Sequence, residues 1–324
     1  MKNISKVIKL SVLAIVASVS FSCSDDDDSI TTTPTNNSIS GIASRTPDLS
    51  VLVDALNRAD LVQTLSQSGS YTVFAPTNAA FTAFLSDNGF ASLEEVPVST
   101  LKEILLNHVV SGALPSSSLS TGYVKTLAKG NASATNSLSM YVNTTSGVKL
   151  NGISNVTTPN ITASNGVIHI VDTVIGLPTV VTHALANPNF TTLVSALTRA
   201  DQPDFVGILS GNTNSPFTVF APTNDAFGSL LTELGATSLN DINQNTLENT
   251  LKYHVVAGAN VLSATLSNNQ TVTTFQGGDF TITTTDGAKI TDANSRISNI
   301  IVVDVQGANG VIHVIDKVIL PVLN

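Results

Sequence analysis

Residues 71–81, Tyr-Thr-Val-Phe-Ala-Pro-Thr-Asn-Ala-Ala-Phe, return at 217–227 as Phe-Thr-Val-Phe-Ala-Pro-Thr-Asn-Asp-Ala-Phe. Each copy opens with β-favouring residues, stops at a proline (Pro76, Pro222), and then presents Thr-Asn. Those two side chains can accept hydrogen bonds from the free amides of a helix start. The helix that follows carries Phe81, Phe84 and Leu85 at i, i+3 and i+4, matched by Phe227, Leu230 and Leu231. Working outward, Ala55-Leu-Asn-Arg-Ala-Asp60 recurs as Ala196-Leu-Thr-Arg-Ala-Asp201, and His108-Val-Val as His254-Val-Val. Asn165-Gly-Val-Ile-His-Ile-Val-Asp172 recurs as Asn309-Gly-Val-Ile-His-Val-Ile-Asp316. The offsets are 141, 146, 146 and 144 residues, too long for a solenoid repeat and long enough for a unit with its own core.

The same pattern can be read inside each unit. Leu49, Leu52, Val53 and Leu56 predict a helix with one buried face, and Leu193, Val194 and Leu197 repeat part of it. A helix opening near Ser99 sets Leu101, Ile104, Leu105 and His108 on one stripe, so the histidine is expected to face inward. From about Tyr123 the texture turns to Thr, Val, Ser and Ile, and the turn signals Ser146-Gly147 and Asp286-Gly287 predict hairpins. Asn165-Gly166 reads as a turn, followed by an almost continuous apolar strand from Val167 to Ile175. The expected class is α+β, with N-terminal helices packed on a sheet that leans antiparallel. Leu177-Pro178 ends the first unit and a helical pattern resumes around His183. So short a connection predicts restricted motion between the units.

Taken together, Thr-Val-Phe-Ala-Pro-Thr-Asn-x-Ala-Phe, the later His-Val-Val and the closing Asn-Gly-Val-Ile-His-x-x-Asp resemble the fasciclin (FAS1) family. They correspond to its first conserved box, its Tyr-His motif and its second box, in the family's order. Asn107 stands where the motif has Tyr, whereas Tyr253-His254 is intact. The resemblance implies two tandem fasciclin-like domains, 45–178 and 179–324, each with helices packed on a β-wedge. It also implies an extracellular, often membrane-tethered protein of adhesion and matrix attachment. In animal members adhesion is assigned to a Glu-Pro-Asp-Ile-Met-like stretch ahead of the second box. The matching positions are Pro159, Asn160, Ile161 and Thr162, then Val303, Asp304, Val305 and Gln306. The first set lacks the acid and the second the proline, so animal integrin binding does not follow. Pro159, Asn160, Ile161, Asp304 and Val305 are the candidate contact surface.

The N-terminus reads as an address. Lys2, Lys6 and Lys9 precede an apolar run from Leu10 to Val19, about half of the roughly 20 residues a spanning helix needs, which predicts a signal peptide over 1–22. Ser20-Phe21-Ser22-Cys23 resembles a bacterial lipobox, with Ser20 where an aliphatic residue is usual, making Cys23 the expected lipid attachment point. Asp25 to Asp28 behind it resemble the export signal of Bacteroidetes-type surface lipoproteins, which implies an outer-membrane lipoprotein exposed on the cell surface. Residues 23–44 are expected to be an acidic and polar tether. Asp28-Ser29-Ile30 resembles an O-glycosylation acceptor in that phylum.

Composition narrows the chemistry. The chain has 324 residues, with 14 Lys plus Arg against 23 Asp plus Glu, a balance of −9 that disfavours nucleic acid. Loss of residues 1–22 removes three lysines and makes the balance more acidic still. One cysteine excludes an intrachain disulfide, and the lack of Trp leaves little for stacking platforms. His108 pairs with His254 and His169 with His313 across the repeat, leaving His183 single. Each paired histidine sits in an apolar stretch and reads as a buried imidazole bonded to backbone, with metal ligation the minor reading. Gly277-Gly278-Asp279 reads as a turn, and Glu94-Glu95 lies in an expected surface loop without a counterpart in the second copy. No catalytic residue, metal or cofactor is expected. The function expected is a lipid-anchored surface module that binds matrix, a cell-surface protein or a glycan without covalent chemistry. The alternative is a glycan-binding accessory of a polysaccharide uptake system.

Overall fold

In the computed structural model, which describes residues 36–322, the repeated box forms the centre of each sheet. Tyr71–Pro76 and Phe217–Pro222 are strands buried at nearly every position. Thr77 and Thr223 cap the helices Asn78–Asp87 and Asn224–Glu233, each accepting from the amide three residues on, Ala80 or Ala226, at 3.2 Å. Side chains alternate along the first strand: Val73 and Ala75 join the core beneath the helices, while Phe74 points the other way among Met140, Val142 and Leu150. This period of two gives each repeat two cores, one on either face of its sheet. The second repeat matches it, with Phe227, Leu193 and Leu251 on the helix side and Phe220, Phe280, Ile282 and Ile290 on the other.

Helices on a mostly antiparallel sheet of seven strands describe each repeat, as expected of an α+β fold. One pairing departs from that lean. The closing strands Gly166–Val171 and Gly310–Ile315 run parallel to the box strands, from Tyr71↔Gly166 to Pro76↔Val171 and from Phe217↔Gly310 to Pro222↔Ile315. The chain must pass through helices and hairpins before it returns, and that long crossover is what a parallel pair requires. The closing strand also stops at Val171, short of Ile175. Asp172 leaves the ladder to accept from Asn155 N and Nδ2, both at 2.8 Å, so Val174 and Ile175 are buried as irregular chain.

A helix at Ile39–Arg45 corrects the reading of 23–44 as tether throughout. Ser38 caps it, and Ile39 and Ala43, one turn apart, enter the first core. The polar neighbours masked these two apolar positions. Residues 1–35, with the expected signal peptide, Cys23, the aspartate run and Ser29, lie outside the described residues.

The two repeats are not copies in every part. Gly122–Gly130 and Ser133–Asn143 form a long hairpin in the first, whereas Gln270–Thr273 and Asp279–Thr283 form a short one in the second. Thr121 and Thr144, hydrogen-bonded at the base of the long hairpin, are 23 residues apart, against 16 for the corresponding Asn268 and Thr284. The longer strand also meets Val109–Ser111 through Val110↔Thr126, closing the first sheet into a barrel. The second sheet stays open.

The far end of the long hairpin rests on the second repeat. Ala132 N donates to Ala308 O at 2.8 Å, Gln306 N to Ser139 Oγ at 3.0 Å, and Lys125 Nζ to Asp304 O at 2.6 Å. Tyr123 packs on the second core, edge-on to His183 at 5.6 Å, and accepts from Asn187 Nδ2 at 3.2 Å. Gly130 is needed for the approach, because a Cβ there would stand 2.4 Å from Ala308 Cα. Gly130→Val is therefore expected to lift the hairpin end at a cost of about 1–3 kcal/mol. A larger radius of gyration in small-angle scattering checks it; an unchanged profile would refute the contact.

Candidate contact surface

Each closing box is fastened by its own polar residues. Asn165 Nδ2 donates to Leu65 O and Gln67 O, both at 2.9 Å, and its Oδ1 accepts from Ile39 N at 2.9 Å. Asn309 repeats this with Leu209 O, Gly211 O and Val180 N. The first helix of each repeat is thereby tied to its last turn, contacts more than 90 residues apart in sequence.

The histidines do the same for other segments. His108 Nδ1 meets Ile104 O at 2.7 Å and Nε2 accepts from Ile175 N at 2.9 Å. His254 bonds Thr250 O and Ile319 N in the same way, at 2.7 and 3.1 Å. Accepting from an amide at Nε2 places the proton on Nδ1, so both rings are neutral. Burial lowers the pKa of each to about 4, against smaller opposing effects of the carbonyls. His183, buried with its Nε2 3.2 Å from Gln306 O and no partner at Nδ1 among the described residues, is likewise lowered to about 4 by burial. His169 and His313 stack on Phe74 and Phe220, with centroids 5.5 Å apart in both repeats. Their Nε2 atoms bond Leu114 O and Val261 O, and burial holds both pKa values below the ordinary imidazole range. Among the described residues, no cluster of three or more His, Cys, Asp or Glu is placed to hold a metal ion.

The Tyr-His position resolves in two ways. Tyr253 is buried, donates to Asp279 O at 2.6 Å and accepts from Ala293 N at 3.2 Å; burial pushes its phenol up to about 12. Asn107 in the first repeat builds a separate network, accepting from Thr126 Oγ1 at 3.1 Å and donating to Gly176 O at 2.9 Å. The phenol's bonds are thus replaced by amide bonds to different partners.

The candidate contact positions sit on the strands Ser154–Ala163 and Ile297–Gly307, at matching bulges. Asn160 and Asp304 both adopt left-handed backbone, φ 66° and 58°, a region where Asn and Asp are enriched. Their amides face His169 Nδ1 and His313 Nδ1 at 3.2 and 3.4 Å. Their side chains tie down a neighbouring loop: Asn160 Oδ1 accepts from Ser116 N, and Asp304 Oδ1 from Ser263 N, each at 2.8 Å, while Asn160 itself stays exposed and Asp304 half-buried. Ile161 packs against the first core. Val305 is fully buried, which removes it from any contact surface, because the strand has re-entered the ladder opposite Ile312.

What the outer face presents differs between repeats. Thr157, Thr158 and Pro159 are exposed in the first; Ile301, Val302 and Val303 are exposed at the same register in the second. The first repeat's positions are open, whereas the second's, from Asp304 on, lie under the long hairpin. That grip by Tyr123, Lys125 and Ser139 is absent from the sequence expectations. Its only trace there is the unequal spacing of the turn signals.

Residues 47–178 and 188–321 each match the family model of the Fasciclin domain. A Synechocystis protein described as uncharacterised is 38% identical over 144 residues, 44% of this chain and 98% of its own length. The cell surface glycolipoprotein MPB83 of Mycobacterium bovis is 33% identical over 144 residues, 44% of this chain and 60% of its own. Among solved structures, a FAS1 domain pair from the insect cell adhesion molecule Fasciclin I aligns with a TM-score of 0.51 at 18% identity. That alignment covers 86% of this chain and 97% of the insect one, and it is a likeness of fold.

Proposed function

Because the chain belongs to the fasciclin family, a family of adhesion and binding domains, we propose that it is a lipid-anchored cell-surface module that binds other molecules non-covalently. The observation that carries this is where the polar chemistry goes. All five imidazoles, both closing-box asparagines and the Asn160 and Asp304 side chains are engaged with the chain's own backbone or packed in its cores. Function is then left to the outer faces. Of these, the first repeat's Thr157 to Asn160 is open throughout, with Pro159 and Asn160 its candidate contact residues; the second repeat's strand is open as far as Val303, and Asp304, the corresponding position, is covered by the long hairpin. Matrix, a cell-surface protein or a glycan are the partners such a face suits.

Attachment through Cys23 agrees with a lipobox-like sequence and with a relative that is itself a cell surface glycolipoprotein. Among the described residues, no helix is long and apolar enough to cross a membrane. An outer-membrane position facing outward is the setting in which such a surface would act. Two arms test the proposal. Cys23→Ala is expected to abolish incorporation of labelled fatty acid and to move the protein out of the membrane fraction; labelled, retained protein overturns the anchor. Beads coated with the chain are expected to adhere to matrix proteins or to cells, and binding confined to soluble polysaccharides would instead mark an uptake accessory.

A further inference from the structure

The strand Ile297–Gly307 carries an aliphatic strip on its outer face. Ile297, Ile301, Val302 and Val303 are 57, 53, 40 and 43% exposed. The first repeat provides an internal control: its strand keeps the same bulges and pairing with Thr157, Thr158 and Pro159 in place of Ile301, Val302 and Val303. The fold therefore does not require apolar side chains at 301–303, whereas Ile297 has an exposed aliphatic counterpart in Ile153 of the first repeat. Exposed aliphatic groups that stability does not demand are a mark of an interaction surface.

Two further observations indicate what covers it. The strip is uncharged from Ile297 to Val303, and the charges at its ends are engaged. Arg296 pairs with Glu233 and Asp292, and Asp304 accepts from Ser263. In a chain of net charge −9, copies repel one another over most of their surface, and a neutral aliphatic strip is where that repulsion is least. The strip also runs directly into an interface between fasciclin domains, since the end of the same strand and the turn after it, residues 304–308, already hold the first repeat's hairpin. We propose that residues 297–303 are where two copies of this chain meet, strip against strip, about a twofold axis near Ile301. An apolar strip is complementary to itself, as a twofold contact requires. Four side chains make a small patch, so the contact is weak in solution and gains strength where copies are crowded.

The proposal rests on the reading that the outer face of this strand is a contact surface. Its test uses the full chain with Cys23→Ala, so that an introduced thiol is the only one. Ile301→Cys, Val302→Cys and Val303→Cys are compared singly with Thr157→Cys, the same backbone site in the first repeat. Under mild oxidant at least one of the three is expected to form a disulfide-linked dimer about tenfold faster than Thr157→Cys, a ratio set by the local concentration that a specific contact provides. Adding Ile297→Thr to the best of them is expected to slow that reaction severalfold, by removing apolar contact area. Equal rates at the two strands, or no slowing by Ile297→Thr, overturn the proposal. Bead adhesion is measured in parallel on Ile301→Thr/Val302→Thr, which installs the first repeat's residues. Equal cross-linking rates at the two strands with adhesion retained defeat only the dimer, whereas preferential cross-linking at the second strand without any adhesion defeats the wider reading.

Discussion

Lowering the pH from 7 to 4 is expected to unfold the chain, with a loss of roughly 10 kcal/mol drawn from three histidines. His108, His183 and His254 are fully buried and neutral, and burial sets each pKa near 4 against an ordinary value of 6.5. Since the folded values are depressed, their contribution to stability is complete above pH 6.5. As the pH falls below that, the unfolded chain takes up protons that the folded chain refuses until about pH 4. Each group then costs about 3 kcal/mol over the interval. Three together are comparable with the roughly 5–15 kcal/mol by which domains are normally stable. The repeat-matched pair also has no room to adapt, because protonating Nε2 in His108 or His254 turns the acceptor for Ile175 N or Ile319 N into a donor facing a donor. Urea midpoints followed by circular dichroism at pH 7, 6 and 5 check this. A midpoint that holds steady across that range would show that the rings are not neutral and enclosed as described.

Gly166→Ala is the second large effect expected, a loss of about 4 kcal/mol or more confined to the first repeat. Gly166 has φ 152°, and a Cβ added there would lie 1.9 Å from Tyr71 O, a backbone atom that cannot swing aside. The residue opens the parallel pairing, so relieving the clash means parting Tyr71 from Gly166 at the start of a six-residue register. Gly310 meets Phe217 O at 2.2 Å in the second repeat and should behave alike. Gly147→Ala is the control: it also has positive φ, 86°, but among the described residues nothing lies within 4 Å of its added carbon. Its cost should stay near the 1 kcal/mol of conformational strain alone. Thermal melts of the three variants check the ranking, and a Gly166→Ala protein as stable as Gly147→Ala would refute the close approach.

Much of the fold was legible because the deciding signals are local. The Thr caps, the Leu and Phe spacings and the Asn-Gly turn each carry their own physical reason within a few residues, and duplication states each of them twice. The inward direction of His108 followed from its place on a helical stripe. What could not be read were relations between distant segments. That Asn165 clasps Ile39 across 126 residues depends on the closed fold. The return of the closing strand in parallel is likewise a matter of topology, which an apolar run does not declare. The unequal hairpins were hidden by compensation. A shorter hairpin in the second repeat is partly offset by its longer Asp292–Arg296 turn, so the distance from His254 to Asn309 is only two residues less than from His108 to Asn165. The candidate contact positions fall on one strand of each repeat, and which way each side chain faces there was not legible in the sequence. Val305 matches a binding position by alignment and is buried, because a bulge two residues earlier reverses the alternation.

The long hairpin gives the pair a direction. The first repeat reaches forward and holds the second, while the second has only a short arm of its own. A fasciclin domain fused behind the second repeat is expected to meet only that short arm. Exchanging the order of the two repeats would have the same result at their junction. Stiffness in this chain is therefore a property of the order in which its halves are spelled, and swapping only their hairpins should carry it from one to the other.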